Sequence, residues 1–480
     1  MKATPISLIA SLTAAILLLV SCSSVNVSQT EDTSAPITEE VTTVPETERV
    51  PETVIIHSGD PDNKVYAEAY LKALPDKSFD GASFIITAPD TSLFDPSEVS
   101  YLSKAVTERN SVVEEKFGVT VSFVKSELGM MLEDAKKSAA AEMFYSHVMV
   151  MPMIGVPTFA SSDLLMNLRS MPLLDMSAPY FSMASANALT LGNKTYGITG
   201  EAIPASTGIT TLFYNKNVAD AAGITDIHSV AMDGKLTWDK MNEYYSAAVS
   251  AGYIGGVSDG GTDIDAVFVS VGERYITSRE GMSPSVSILN YSMNDAATRY
   301  RTIVNDASAA GVTKDSAQST FREGKALFTF AEIGKTDTLT GSAVNLGMLP
   351  MPKANADASY RHLADGNTNV FTVTNGVTDS AMVSLVLSGL NAASYGVMTE
   401  EVSDYLHATV LPDSHSADVY ELISDCIVYD LSSAFAPHFP EVSAGSRDLV
   451  RYIIETGDFS TFEASIYDAN RFFSQYYPVN

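Results

Sequence analysis

Cysteine is nearly missing from this chain of 480 residues, which carries two. One of them, Cys22, belongs to an N-terminal leader, so no disulfide framework holds the fold together. The other, Cys426, stands beside Ile427 and Val428 and reads as a buried structural thiol rather than a nucleophile. Basic side chains are also few. Against 58 Asp and Glu there are 29 Lys and Arg, a formal net charge of -29, and such a surface is repelled by phosphate backbones and anionic headgroups alike. Nucleic acid is thereby excluded as a partner. Acidity names no ligand, because it also serves solubility.

Signatures of catalysis are missing as well. No nucleophile elbow, His-Glu-x-x-His, Walker loop or zinc-spaced cysteine pair occurs, so the expectation is a protein without enzymatic activity, cofactor or metal. Phe321-Arg-Glu-Gly-Lys325 has the end of a phosphate loop, but Ser319 stands where the first glycine is needed, and the segment reads as a turn before a strand. Asp259, Asp263 and Asp265 around Gly260-Gly261 miss the ligand order of a calcium loop. The seven histidines are scattered along the chain and none is read as a ligand. No repeat of 20 to 50 residues is visible, which disfavours a solenoid or propeller.

What is present begins with a leader. Lys2 precedes an apolar run from Leu8 to Val20 that ends in Leu19-Val20-Ser21-Cys22. The run is too short for a transmembrane span of ~20 residues and reads as a secretion signal. The order Leu-Val-Ser-Cys resembles the bacterial lipobox, which implies that Cys22 becomes the mature N-terminus and carries lipid. Two or three acyl chains anchor firmly, at ~0.8 kcal/mol per buried methylene. Ser23 to Asn63 is rich in Thr, Ser, Glu and Pro without periodicity and reads as a disordered tether. As a coil of about 41 residues it spans ~35 Å on average.

Beyond the tether, Gly81 to Ala88 alternates as a first strand, and Val99, Leu102, Val106, Val113 and Phe117 recur at helical spacing up to a C-capping Gly118. Val119, Val121 and Phe123 give a second strand. A helix from Leu128 to Ala141 leads to the apolar run Val148 to Met151, typical of a strand buried on both faces. This βαβαβ order predicts a doubly wound parallel sheet. A second set follows: a strand at Thr210 to Tyr214, helices opening at Thr237-Trp238-Asp239 and spanning Asp295 to Ala310, and strands at Ala326 to Phe330 and Val344 to Met348. A strand at Asn369 to Thr374 and an apolar helix from Asp379 to Ala392 come next.

The chain resembles the extracellular solute-binding proteins of carbohydrate-type ABC importers over nearly everything after the tether. The matching segments are Thr107-Glu-Arg-Asn110 through Val113-Glu-Glu-Lys-Phe-Gly-Val119, Leu168 to Tyr180, Gly192-Asn-Lys-Thr-Tyr-Gly197 and Leu212-Phe-Tyr-Asn-Lys216. They continue through Leu236-Thr-Trp-Asp-Lys240, Phe321-Arg-Glu-Gly-Lys-Ala-Leu327 and Leu346-Gly-Met-Leu-Pro-Met-Pro352. The resemblance implies an α/β fold of two lobes, each a sheet flanked by helices, joined by hinge crossings and closing on a small solute, a sugar or oligosaccharide. It also implies delivery to ABC permease subunits, and a place at the extracellular face of the cytoplasmic membrane. The chain then divides into a signal peptide (1–21), a lipidated tether (22–63), a first lobe (64–200 and 351–410), a second lobe (201–350) and a C-terminal helical segment (411–480) packing mainly on the second lobe.

Ligands of such folds sit at the carboxyl ends of strands. That rule nominates Asp90, Thr91, Phe94, Met153 and Glu201 from the first part of the chain. It adds Arg274, Tyr275 and Glu332 from the second, with Asp365 and Asn367 in the loop entering the returning strand. Sugar binders usually stack pyranose rings on aromatic faces, often tryptophan. Here the single Trp238 reads as scaffold, and Glu332-Ile-Gly334 follows the strand where maltose-type proteins place aromatics. Tyrosine, phenylalanine and carboxylates remain to grip hydroxyls. A different-class alternative is a surface lipoprotein that keeps the fold for adhesion, sensing or scaffolding.

Overall fold

The computed structural model describes residues 63–98, 100–272, 276–279, 282–286, 298, 301–302, 305–411, 414–430 and 463–476. Cys22, the leader and the tether up to residue 62 lie outside the described residues, as do Arg274, Tyr275 and part of the expected helix at 295–310.

The first sheet forms where hydrophobic alternation called for it. Strand β1 (Ala82–Ala88) turns Phe84, Ile86 and Ala88 into the core and pairs in parallel with β2 (Val119–Lys125) and β3 (Val148–Pro152). Between β1 and β2 runs the helix Ser103–Phe117. It stops at Gly118, whose φ of 58° lies in the left-handed region, where an L side chain pays a steric cost. A Cβ there would also come within 2.5 Å of the Ser78 hydroxyl oxygen. The helix Leu128–Ala140 leads to β3, whose Val148 to Met151 are all buried, as a strand covered on both faces requires.

The second sheet is built from β6 (Thr210–Asn215), β7 (Ile254–Val257), β10 (Ala326–Glu332) and β11 (Leu346–Leu349), in the order β11-β6-β10-β7. β6 is buried along its whole length and runs antiparallel to both neighbours, while β10 and β7 are parallel. Local capping fixes the connections. Asn215 accepts a hydrogen bond from the Asn217 N–H (3.1 Å), and Thr237 Oγ1 accepts one from the Lys240 N–H (3.2 Å), which starts the helix Trp238–Ser250. Trp238 is 2% exposed and donates Nε1–H to Ser270 Oγ. It is scaffold, as its place in the sequence implied.

The chain passes between the sheets more than once. After β11 it runs through β12 (His362–Ala364) and re-enters the first sheet as β13 (Asn369–Val373), antiparallel to β3, giving the order β13-β3-β1-β2. Short strands complete the set: β4 (Thr190–Leu191) with β5 (Lys194–Thr195), β8 (Ile276–Arg279) with β9 (Met282–Val286), and β14 (Ile427–Tyr429) beside β12. The helix Ser380–Ala392 is capped by Asp379, and every residue from Met382 to Ala392 is buried. The apolar stretch Ser380–Thr409 is long enough to cross a membrane, yet 83% of its most apolar window is covered by the fold, as in a core helix.

The early crossing near residue 200 is held tightly. A Cβ on Gly200 would lie 2.2 Å from Asn391 Oδ1 and 2.8 Å from the Tyr180 carbonyl oxygen, so only glycine fits. The same Asn391 oxygen accepts the Ala202 N–H at 3.1 Å. From the C-terminal part of the chain, the Tyr429 hydroxyl meets Thr199 Oγ1 at 2.8 Å and the Tyr420 hydroxyl meets Ser206 Oγ at 2.6 Å. Buried hydroxyl pairs of this kind satisfy groups whose desolvation is otherwise costly.

Candidate functional site

A cleft of about 510 Å³ opens where loops from both sheets converge. Asp90, just past β1, and Asn367 to Asn369, entering β13, come from the first sheet, while Glu332 to Asp337 follow β10 of the second. The early crossing contributes Ile203 to Ala205, Thr207 and Gly208, and the helix Val397–Thr409 contributes Val402, Tyr405 and Leu406. In α/β sheets such crevices lie outside the carboxyl ends of the strands.

Of the sequence-nominated residues, Asp90, Glu332 and Asn367 line this cleft. Asp365 stands behind Asn367: its Oδ1 accepts the Asn367 N–H at 2.8 Å and its Oδ2 the Asn367 side-chain amide at 3.3 Å, an Asx-type turn that aims the asparagine. Thr91, Phe94 and Met153 are buried away from the cleft. The chain after β1 folds back on itself, so that Thr91 donates to Glu98 (2.6 Å) and Phe94 packs edge-on against Phe371. The buried Arg109 guanidinium lies over the Phe94 ring and donates to the Leu93 carbonyl at 2.7 Å; burial pulls its pKa down to about 9.

Glu201 lines a second cavity of about 230 Å³, with Thr399, Asp425 and Tyr429 among its neighbours. Burial pushes its carboxyl up to about 7, against the opposing effect of the Gly396 N–H, which donates to Oε2 at 3.3 Å.

Three cleft features escape pattern reading. Tyr101 and Tyr405 stack with ring centroids 4.2 Å apart and planes 11° from parallel, each 40% exposed at the cleft wall. Thr368 lines the cleft with a buried hydroxyl that has no partner among the described residues, an arrangement native structures rarely leave unexplained. Gly334 lets the segment after β10 pass close to the early crossing: a Cβ there would come within 2.9 Å of the Thr207 carbonyl oxygen. Chemically the cleft offers an aromatic surface, the carboxylates Asp90, Glu332 and Asp337, the amides of Asn367 and Asn369, the Thr368 hydroxyl and Lys335, which donates to Glu332 at 2.7 Å. That set suits a neutral, hydroxyl-rich solute, since each polar group can give or take a hydrogen bond without a fixed charge on the ligand.

A family model described as bacterial extracellular solute-binding protein matches residues 112–383, more than half of the chain. Among solved structures, a family 1 extracellular solute-binding protein from Bifidobacterium longum subsp. infantis aligns with a TM-score of 0.52 at 15% identity, covering 83% of this chain and 100% of its own. The galacto-N-biose-/lacto-N-biose I-binding protein of the ABC transporter from Bifidobacterium longum, in complex with lacto-N-biose, aligns at 0.53 and 15%, covering 83% and 98%. At such identity the likeness speaks for the fold. No curated protein sequence matches the chain.

Proposed function

The chain belongs to the bacterial extracellular solute-binding protein family, and from that premise we propose that it captures a carbohydrate in the cleft and delivers it to the permease of an ABC importer. The observation that carries the sugar reading is the cleft lining: exposed Tyr101 and Tyr405 beside Asp90, Glu332, Asn367 and the Thr368 hydroxyl, which has no partner among the described residues. Aromatic faces take up the apolar faces of sugar rings, and carboxylates and amides accept and donate to their hydroxyls. A solved structure of similar fold holds lacto-N-biose, which supports a saccharide here too.

The mechanism follows from placement. The first sheet supplies Asp90 and Asn367 and the second supplies Glu332, so a solute touching both stabilises the closed arrangement through contacts that an open one lacks. The lobes follow the partition 64–200 with 351–410, and 201–350, with 411–480 as a C-terminal helical segment. The protein is not an enzyme in this reading. The family places it outside the cytoplasm, and the segment ending in Cys22 supports a lipid anchor that holds it at the outer face of the cytoplasmic membrane.

A thermal-shift panel of mono-, di- and oligosaccharides, lacto-N-biose included, tests the reading. A ligand at 100 times its dissociation constant adds ~2.7 kcal/mol to stability. A saccharide that raises the melting temperature supports the proposal; a panel of sugars without effect, beside another solute class that binds, overturns the carbohydrate assignment.

A further inference from the structure

Away from the cleft, His228, His415 and Asp418 converge from two helices. His415 and Asp418 sit three positions apart on the helix Ser414–Asp425 and so share a face. His228 lies on the helix Ile227–Met232, which packs against it. The two imidazole rings meet with centroids 4.0 Å apart and planes tilted by 34°. One ligand atom from each of the three side chains lies within 4.8 Å of the others. None of the three lines the cleft.

We propose that these residues form a binding site for a divalent transition metal, zinc above all, that clips the two helices together. A tetrahedral zinc with nitrogen and oxygen bonds near 2.0 Å holds its ligand atoms ~3.4 Å apart. Closing from 4.8 Å takes small rotations of side chains that have room to make them, since His415 and Asp418 are exposed and His228 half-buried. Two imidazoles and one carboxylate suit zinc, nickel or copper, whereas calcium and magnesium demand oxygen ligands throughout. The fourth position is left to water. A dication held by one carboxylate also gains from the field of a chain carrying a net charge of -29. The histidines came together only in three dimensions, because 187 positions of sequence conceal the pair.

The test is calorimetric titration of the chelator-treated full-length chain with zinc chloride at neutral pH, repeated on His228→Ala, His415→Ala, Asp418→Ala and, as a control on an exposed histidine outside the trio, His407→Ala. One saturable equivalent is expected in the parent and in the control. Each histidine variant should weaken it by roughly tenfold or more, since even outer partners of a bound metal carry about that much. Acidification should weaken binding, because protons compete for imidazole. Exposed His415 and Asp418 can be replaced without disturbing the apo fold, so these variants carry the test if His228→Ala is unstable. Absence of saturable binding in the parent, or zinc binding that survives loss of both histidines, overturns the proposal.

Discussion

Tyr101 and Tyr405 stand face to face at the wall of the cleft, one from the loop ahead of the helix Ser103–Phe117 and the other from the helix Val397–Thr409, with ring planes 11° from parallel. Each ring covers one face of its partner, and each residue stays 40% exposed. Replacing either by alanine should weaken saccharide binding by ~0.5 to 1.5 kcal/mol beyond lost area, roughly two- to twelvefold. Calorimetric titration of Tyr101→Ala and Tyr405→Ala checks this; affinities equal to the parent would remove the pair from the site.

Glu332 and Asp365 should behave differently from one another. Glu332 lines the cleft, and its loss removes a charge-assisted hydrogen bond worth ~1.5 to 3 kcal/mol when shielded, less the part already spent on Lys335. Asp365 acts through the turn that aims Asn367, so Asp365→Ala should weaken binding about as much as Asn367→Ala, and the double variant should cost little more than either. A double-mutant cycle measures this. Additive losses would show that Asp365 meets the solute by itself.

The raised carboxyl of Glu201 makes stability depend on pH. Its folded-state pKa of about 7 exceeds the usual 4.5, so the folded chain binds the proton more tightly than the unfolded one. The contribution is full below about 4.5 and is lost as pH rises through about 7. Glu201→Gln cannot ionise and should flatten this part of the curve, gaining melting temperature relative to the parent most clearly near pH 8. Parallel curves from pH 4 to 8 would show that Glu201 titrates normally.

Much of the scaffold is legible from the sequence because it is local. Alternation marks β1, a left-handed glycine marks the end of the helix at Gly118, and Thr237 marks the start of another. The rule of strand ends also leads to Asp90, Glu332 and Asn367 at the cleft. It says nothing of which way the next residue turns. Phe94 goes to Phe371, and Met153 is buried beside the loop whose Thr368 carbonyl its N–H contacts at 2.9 Å. Pairs such as Tyr101 with Tyr405, or His228 with His415, are products of tertiary packing between distant segments. No periodicity encodes them, and a lone tyrosine or histidine carries no sign of its partner.

Membrane attachment is open to a direct check. Leu19-Val20-Ser21-Cys22 supports lipidation at the cysteine thiol, so Cys22→Ala should move the protein from the membrane fraction to the medium or leave an unprocessed precursor. Fractionation with immunoblotting decides it. A fully processed Cys22→Ala protein that stays with the membrane would contradict a lipid anchor at this residue.

The central claim, that the cleft is where solute is held, is tested most directly by filling it. Gly208 lines the cleft, is exposed, and has nothing within 4 Å of the position a Cβ would take, so Gly208→Trp can place an indole in the cleft without displacing the fold. The measurement is calorimetric titration of the parent and of Gly208→Trp with the saccharide that shifts the melting temperature most. One binding site per parent chain is expected, and binding abolished in Gly208→Trp at an unchanged apo melting temperature. Equal affinity in the two proteins would contradict the claim.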